Sequence, residues 1–306
     1  MPTARQGSIH LFRFSGIDVF LHWSWFLVAA YEIQTRKGSY SSVMWNVLEY
    51  VGLFLIVMLH EFGHALACRQ VGGRADTIVL WPLGGVAYVD PPQRPGATLW
   101  SIAAGPLVNV VLFPVLLVIY SMSQSMGWAT SMPDIDRLLH SILWIDVGLL
   151  IFNILPVYPL DGGQIFRSLL WFVLGRARSL MVATIVGLLG VAAFIGLAIW
   201  RQDLWLGIIS FYMLMYCWSG LKQAQASSRV AKLPRRDGFA CPRCQTPPPV
   251  GEYRKCSKCG QTFDMFQSHG VCPRCSTQFP QIKCLDCGAL NPINDWMLAS
   301  VVPAKL

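Results

Sequence analysis

Two of the six histidines in this 306-residue chain stand four positions apart with a glutamate between them, in His60-Glu61-Phe62-Gly63-His64. On a helix, residues i and i+4 share a face. Both imidazoles can therefore turn a ring nitrogen to one metal ion, while the Glu61 carboxylate lies beside the ion without ligating it. This HExxH spacing suits metal-assisted hydrolysis, in which zinc activates a water and the glutamate acts as general base. The setting sharpens the reading. Val51 to Leu59 are uncharged and apolar, and each ionisable group at bilayer depth costs about 2.5 to 3.5 kcal/mol on insertion scales. Three ionisable side chains within five positions require a compensating partner there, and a metal ion supplies one.

Two imidazoles do not complete a catalytic zinc site, which has three protein ligands and keeps one position open. Asp161 is the best candidate for the third, within Asn153-Ile154-Leu155-Pro156-Val157-Tyr158-Pro159-Leu160-Asp161-Gly162-Gly163. The two prolines interrupt a helix and the two glycines permit unusual backbone, so the chain can turn Asp161 towards the histidines. Asp146 is the rival, as a ligand or as a hydrogen-bonding group within a bundle. Asp161 also has a purely structural alternative, as the N-cap of a helix beginning near Gly163. His22 and His140 read as packing or interfacial residues.

Eight of the ten cysteines form a second set of metal donors, in the CxxC pairs Cys241/Cys244, Cys256/Cys259, Cys272/Cys275 and Cys284/Cys287. Four such pairs fit two four-cysteine structural zinc sites. Sequential pairing makes two zinc ribbons and interleaved pairing makes one cross-braced module; spacing leaves both open. Disulfides are the competing use, disfavoured on a reducing face. Cys68 and Cys217 fall outside the pattern and read as apolar packing residues.

The elements that must position these groups are hydrophobic spans. Hydrophobic residues make up 54% of the chain, charged residues 13%, and mean hydropathy is +0.47. These values exclude both a soluble enzyme and a disordered chain. Six stretches can cross a hydrocarbon core of roughly 30 Å: Asp18 to Ile33, Trp45 to Val71, Ala97 to Ser121, Leu138 to Leu155, Leu180 to Trp200 and Leu204 to Lys222. The fold expected is an α-helical polytopic membrane protein. A short β-hairpin, from Thr77 to Val89 around Pro82-Leu83-Gly84-Gly85, separates the second and third spans. Either it seals the helix ends or its edge accepts an extended peptide.

The N-terminal residues show no removable signal peptide, so the first span is expected to remain as an anchor. Lys and Arg partition unevenly between loops. Arg5, Arg13, Arg69, Arg74, Arg94, Arg167, Arg176, Arg178 and Lys222 lie on one side, against Arg36, Lys37, Arg137 and Arg201 on the other. The positive-inside rule places both termini in the cytoplasm. Residues 1–222 are expected to form the membrane domain, 223–237 a linker and 238–306 a small zinc-ribbon-like domain, whose metal supplies most of its folding energy.

His60 to His64 followed by Asn153-x-x-Pro156-x-x-Pro159-x-Asp161-Gly162 resembles the site-2 protease family of intramembrane zinc metalloproteases. Gly105-Pro106 and Asn109 belong to the same resemblance, which covers roughly residues 8 to 220 and is nearest to compact members without an inserted PDZ domain. It implies that His60, His64 and Asp161 bind a catalytic zinc and Glu61 is the base. It also implies that transmembrane segments of membrane proteins are the substrates. Asn153 is placed at the substrate backbone or the oxyanion, or at a broken helix end. The cysteine tail departs from the CBS pair that many such members carry.

Tethered at the cytoplasmic face, the tail is expected to recognise a protein partner. Its scattered basic residues lack the aromatic interleave of a nucleic-acid surface. Three further readings compete with the protease: an inactive helix-binding scaffold, opposed by an intact Glu61, a zinc transporter, opposed by the scarcity of further intramembrane acids, and a membrane-anchored zinc-ribbon adaptor.

Overall fold

The computed structural model describes residues 7–36, 38–81 and 84–296. Arg5, Lys37, Pro82 and Leu83, and the end of the tail beyond residue 296, lie outside that range. The chain is predominantly helical and forms two compact units. One comprises Met1–Val173 and Val182–Trp218, the other Leu174–Met181 and Ser219–Leu306.

The first unit contains helices α1 (Ser24–Thr35), α2 (Val43–Gln70), α3 (Pro95–Ser125), α4 (Trp128–Ser131), α5 (Pro133–Ile154) and most of α6 (Asp161–Arg201) and α7 (Leu204–Ala231). Among the described residues, α2, α3, α6 and α7 are long and apolar enough to cross a membrane. α5 has a spanning length of 22 residues but carries Asp134, Asp136, Arg137 and Asp146, and it is not among those four. α6 is two helices in sequence, broken at Gly175, whose φ of 75° and ψ of 171° are non-helical. Such a backbone is open to glycine and strained for other residues. α7 runs on to Ala231, so the first residues expected as linker are helical.

A four-stranded sheet lies in the same unit, in the order β1 (Ser8–Phe14), β2 (Ile17–His22), β3 (Arg74–Trp81), β4 (Gly84–Asp90). The outer pairs are antiparallel hairpins, and β2 runs parallel to β3 with Asp18 opposite Thr77 and Leu21 opposite Leu80. A parallel pair needs a crossover connection, here made by α1 and α2. Ser15 and Gly16 turn the first hairpin, both at positive φ (49° and 73°), the geometry of a type I′ turn. The β3–β4 hairpin follows the sequence expectation.

The first span does not. Its first five residues, Asp18 to His22, lie in strand β2, and α1 has only 12 residues, about 18 Å at 1.5 Å per residue. Ile17 and Val19 are fully buried, packed with Val57, Phe62, Ala65, Ile78 and Leu80 in one core. This neighbourhood favours a sheet over a helix. The segment still traverses the thickness of α2. Arg69 Nη2 donates to the Gly16 carbonyl at 3.0 Å, Tyr50 Oη donates to the Trp25 carbonyl at 2.7 Å, and Arg36 pairs with Glu49. Between Arg69 and Glu49 α2 rises about 30 Å, so residues 16–36 cover that distance as strand followed by helix.

The second unit holds two small antiparallel sheets, β5 (Arg254–Lys255) with β6 (Thr262–Phe263) and β7 (Gln281–Lys283) with β8 (Leu290–Pro292), then a single 3-10 turn at Ile293–Trp296. Its core packs Phe263, Met265, Ile282 and Trp296 against the cysteines.

Candidate metal centre

α2 presents His60 and His64 from adjacent turns, with ring centroids 4.8 Å apart and an interplanar angle of 82°. The Pro-interrupted segment between α5 and α6 returns the chain so that α6 begins at Asp161. One carboxylate oxygen of Asp161, Oδ2, lies 3.0 Å from His60 Nε2 and 3.2 Å from His64 Nε2, and the two Nε2 atoms are 3.1 Å apart. Asp161 is therefore not a cap. It occupies the first helical position after Leu160, and no side-chain cap bond closes that terminus.

Each imidazole is held from behind through its other nitrogen. His60 Nδ1 donates to Asn109 Oδ1 at 2.7 Å, and His64 Nδ1 donates to the Ser101 carbonyl at 2.9 Å. Asn109 in turn donates through Nδ2 to Asp146 Oδ1 at 2.7 Å. Asn109, Asp146 and Ser101 are all fully buried. Asp146, the rival ligand, thus stands one residue behind the centre, steering His60 through Asn109.

These bonds place the ring protons on Nδ1, which leaves the Nε2 lone pairs free. In the neutral rings, two lone pairs and a carboxylate oxygen then converge within 3.2 Å. Three electron-pair donors facing one point repel unless a cation lies between them. Their spacing also suits zinc: bonds of about 2.0 to 2.2 Å in a tetrahedron put neighbouring donors about 3.3 to 3.6 Å apart.

α3 comes close enough to hold the rings because position 105 has no side chain. A Cβ at Gly105 would stand 2.3 Å from His64 Nε2 and 2.8 Å from His60 Nε2. Glu61, 6% exposed, lines a cavity of about 410 Å³ together with His60, His64, Asp161, Asn153 and Val89 of β4. Tyr212 and Tyr216 of α7 wall the same cavity, with ring centroids 4.6 Å apart.

Asn153, in the last turn of α5, thus shares the cavity with the proposed base and ligands. Sequence reasoning missed the Ser101 carbonyl, the clearance at Gly105 and the two tyrosines. Gly105 stood out only as part of the family resemblance and the others carry no local signal, because each matters through what another helix brings against it. His22 and His140 join no donor cluster among the described residues. His22 stacks on Trp81 at 3.9 Å, and His140 Nε2 accepts from Trp144 at 2.9 Å.

In the second unit the thiols gather as two sets of four, Cys241, Cys244, Cys284 and Cys287 in one and Cys256, Cys259, Cys272 and Cys275 in the other. The donor atoms of each set lie within 4.8 Å of one another, and none of the ten cysteines is in a disulfide. The pairing is nested, the first CxxC with the fourth and the second with the third. It is neither the sequential nor the interleaved scheme. The hydrophobic core explains the outcome. The Ala240 N–H donates to the Trp296 carbonyl at 2.8 Å, which brings residue 296 back beside the first CxxC pair.

Residues 49–134 and 129–197 match the model of peptidase family M50. Zinc metalloprotease MJ0392 of Methanocaldococcus jannaschii is 34% identical over 186 residues, which are 59% of this chain and 50% of that protein. Putative zinc metalloprotease Rip3 of Mycobacterium tuberculosis is 27% identical over 237 residues, covering 68% of this chain and 57% of Rip3. This chain therefore spans about half the length of these curated relatives. A solved structure of a site-2 protease from Methanocaldococcus jannaschii superposes with a TM-score of 0.52 at 26% identity, over 70% of this chain and 95% of that one.

Proposed function

The chain belongs to peptidase family M50, the site-2 proteases, and on that premise we propose that it is an intramembrane zinc metalloendopeptidase that hydrolyses peptide bonds in transmembrane segments of other proteins. The observation that carries the reading is the convergence of His60 Nε2, His64 Nε2 and Asp161 Oδ2 at 3.0 to 3.2 Å beside a cavity lined by Glu61. His60, His64 and Asp161 would hold the zinc, which when bound would supply Lewis acidity to a water and to a scissile carbonyl. The Glu61 carboxylate accepts the proton of the attacking water and returns it to the leaving amine. Asn109 and the Ser101 carbonyl keep both imidazoles in the tautomer that ligates, and the Asn153 carboxamide offers a donor to the substrate carbonyl as charge develops on it.

A helical substrate must unwind before its amides can react. β4 supports how it is held: it is a sheet edge, β3 is covered on both sides, and Val89 of β4 borders the cavity. An extended substrate adds to that edge as a further strand. Substrates with Gly, Pro, Asn or Ser near the cut open most readily.

For topology we count six crossings: β2 with α1, α2, α3, α5 with the first half of α6, the second half of α6, and α7. This number and the Lys/Arg asymmetry support cytoplasmic termini. In this reading the cysteine tail, residues 238–306, holds two structural zinc ions in its nested thiol sets and recognises a cytoplasmic protein partner, while residues 1–222 carry the chemistry.

The deciding experiment is Glu61→Gln in the purified protein with a transmembrane peptide substrate. Cleavage should fall by roughly 10²- to 10⁴-fold, the usual worth of a general base, while zinc content stays at the parental value. Near-normal cleavage by this variant would sink the mechanism.

A further inference from the structure

The second unit contains a cavity of about 370 Å³, within the range of small-ligand and peptide-anchor pockets. Met265, Ile282 and Trp296 form an apolar floor, all of them buried. Tyr253 and Leu285, 48% and 44% exposed, leave the mouth apolar as well.

The charges around it are not balanced. Its two acids are already committed. Asp286 is held by both guanidinium nitrogens of Arg235, at 2.7 and 3.0 Å, and Asp264 is held by Arg236 and by the backbone N–H groups of Gly251, Phe266 and Gln267. Three cations share the rim: Arg254, Lys255 and Lys283. Among the described residues the two lysines form no ion pair, and Arg254 lies over the Phe279 ring at 4.7 Å. The rim is therefore positive around an apolar floor.

Two strands line the same cavity, β5 through Arg254 and Lys255 and β7 through Ile282 and Lys283. Each belongs to a two-stranded sheet, so among the described residues each keeps one edge without a partner strand. Such edges accept extended peptides.

We propose that this cavity is a peptide-binding site for a short extended segment in which acidic residues alternate with bulky apolar ones. The apolar side chains fill the floor and the carboxylates meet Arg254, Lys255 and Lys283. This deepens the reading of the tail as a protein-recognition module. It does not depend on the peptidase chemistry, because binding is measured without cleavage. Binding of a nucleic acid in place of a peptide is an outcome of the test below.

The test uses the full-length protein in a neutral detergent and a fluorescein-labelled hexapeptide of alternating Leu and Glu, read by anisotropy. We expect saturable binding that weakens with salt. The double variant Lys255→Glu/Lys283→Glu should bind roughly tenfold or more weakly, and Tyr253→Ser should weaken binding too. If the charge reversal lowers zinc content, the pair Lys255→Gln/Lys283→Gln is read by the same criterion. Equal binding of a Leu/Lys hexapeptide, displacement by a single-stranded oligonucleotide, or unchanged affinity in the lysine variants would each overturn the proposal.

Discussion

The imidazole of His60 works with both of its nitrogens. Nε2 faces the metal position, and Nδ1 is tied through Asn109 to Asp146. The two aspartates associated with the centre therefore have different jobs, and substitution should separate them. Asp161→Ala removes a ligand, so zinc should leave the membrane unit and cleavage should vanish with it. Asp146→Asn keeps all three ligands and weakens only the support behind His60. Chelator competition should show zinc affinity reduced by about 10- to 100-fold, the usual cost of losing an outer partner of a metal-bound histidine. If Asp161→Ala retained zinc and turnover while Asp146→Asn lost both, the assignment of ligand and support would be reversed.

Helices α2 and α3 meet where Gly63 faces the Ala104 carbonyl and Gly105 faces the two imidazoles. A methyl group at position 105 would stand 2.3 Å from His64 Nε2, well inside van der Waals contact, so either the ring or the helix must move. Gly105→Ala should therefore strip zinc from the membrane unit. Gly148→Ala in α5 provides the contrast, because a Cβ there meets nothing within 4 Å. That change should leave zinc content intact and hold or raise thermal stability, since alanine is the better helix former by about 1 kcal/mol. Zinc analysis and a melting curve of both variants decide the point. Equal behaviour would mean that close α2–α3 contact does not shape the site.

At the scale of the whole molecule, the nested thiol sets predict which cysteine losses combine. Cys241→Ser/Cys284→Ser strikes one set twice and should cost one zinc equivalent, whereas Cys241→Ser/Cys256→Ser strikes both sets and should cost two. Sequential pairing predicts the opposite result for the same two variants, so counting zinc by mass spectrometry distinguishes them. Deleting residues 238 to 306 should leave zinc at His60, His64 and Asp161 and preserve cleavage of a short generic transmembrane peptide, while changing which native substrates are cut. Loss of zinc from the membrane centre on that deletion would make the tail part of the catalytic fold.

How much of this was legible in the chain depends on how local each feature is. The spacing of His60 and His64 translates directly into a shared helix face, and four CxxC pairs are four knuckles in any fold. The gathering of metal-ligating residue types, its place in an apolar segment and the cysteine-rich tail were therefore determined by the sequence alone. The β3–β4 hairpin was legible too, because Gly and Pro mark its turn within a few residues. The preference for Asp161 over Asp146 was legible in the Pro/Gly setting of Asp161, whereas the place of Asp146 was not: the packing of α3 puts Asn109 between Asp146 and His60. The strand at Ile17–His22 read as the start of a helix because its apolar run continues into α1, although Ser15-Gly16 before it was a turn signal. Only the tertiary structure, by aligning β2 with β3 some sixty residues later, decided that it is sheet. The nested thiol pairing was decided in the same way, by a core and a backbone bond that bring Trp296 back to Ala240. In each case the free energy comes from contacts between residues far apart in the chain, and no local spacing encodes those.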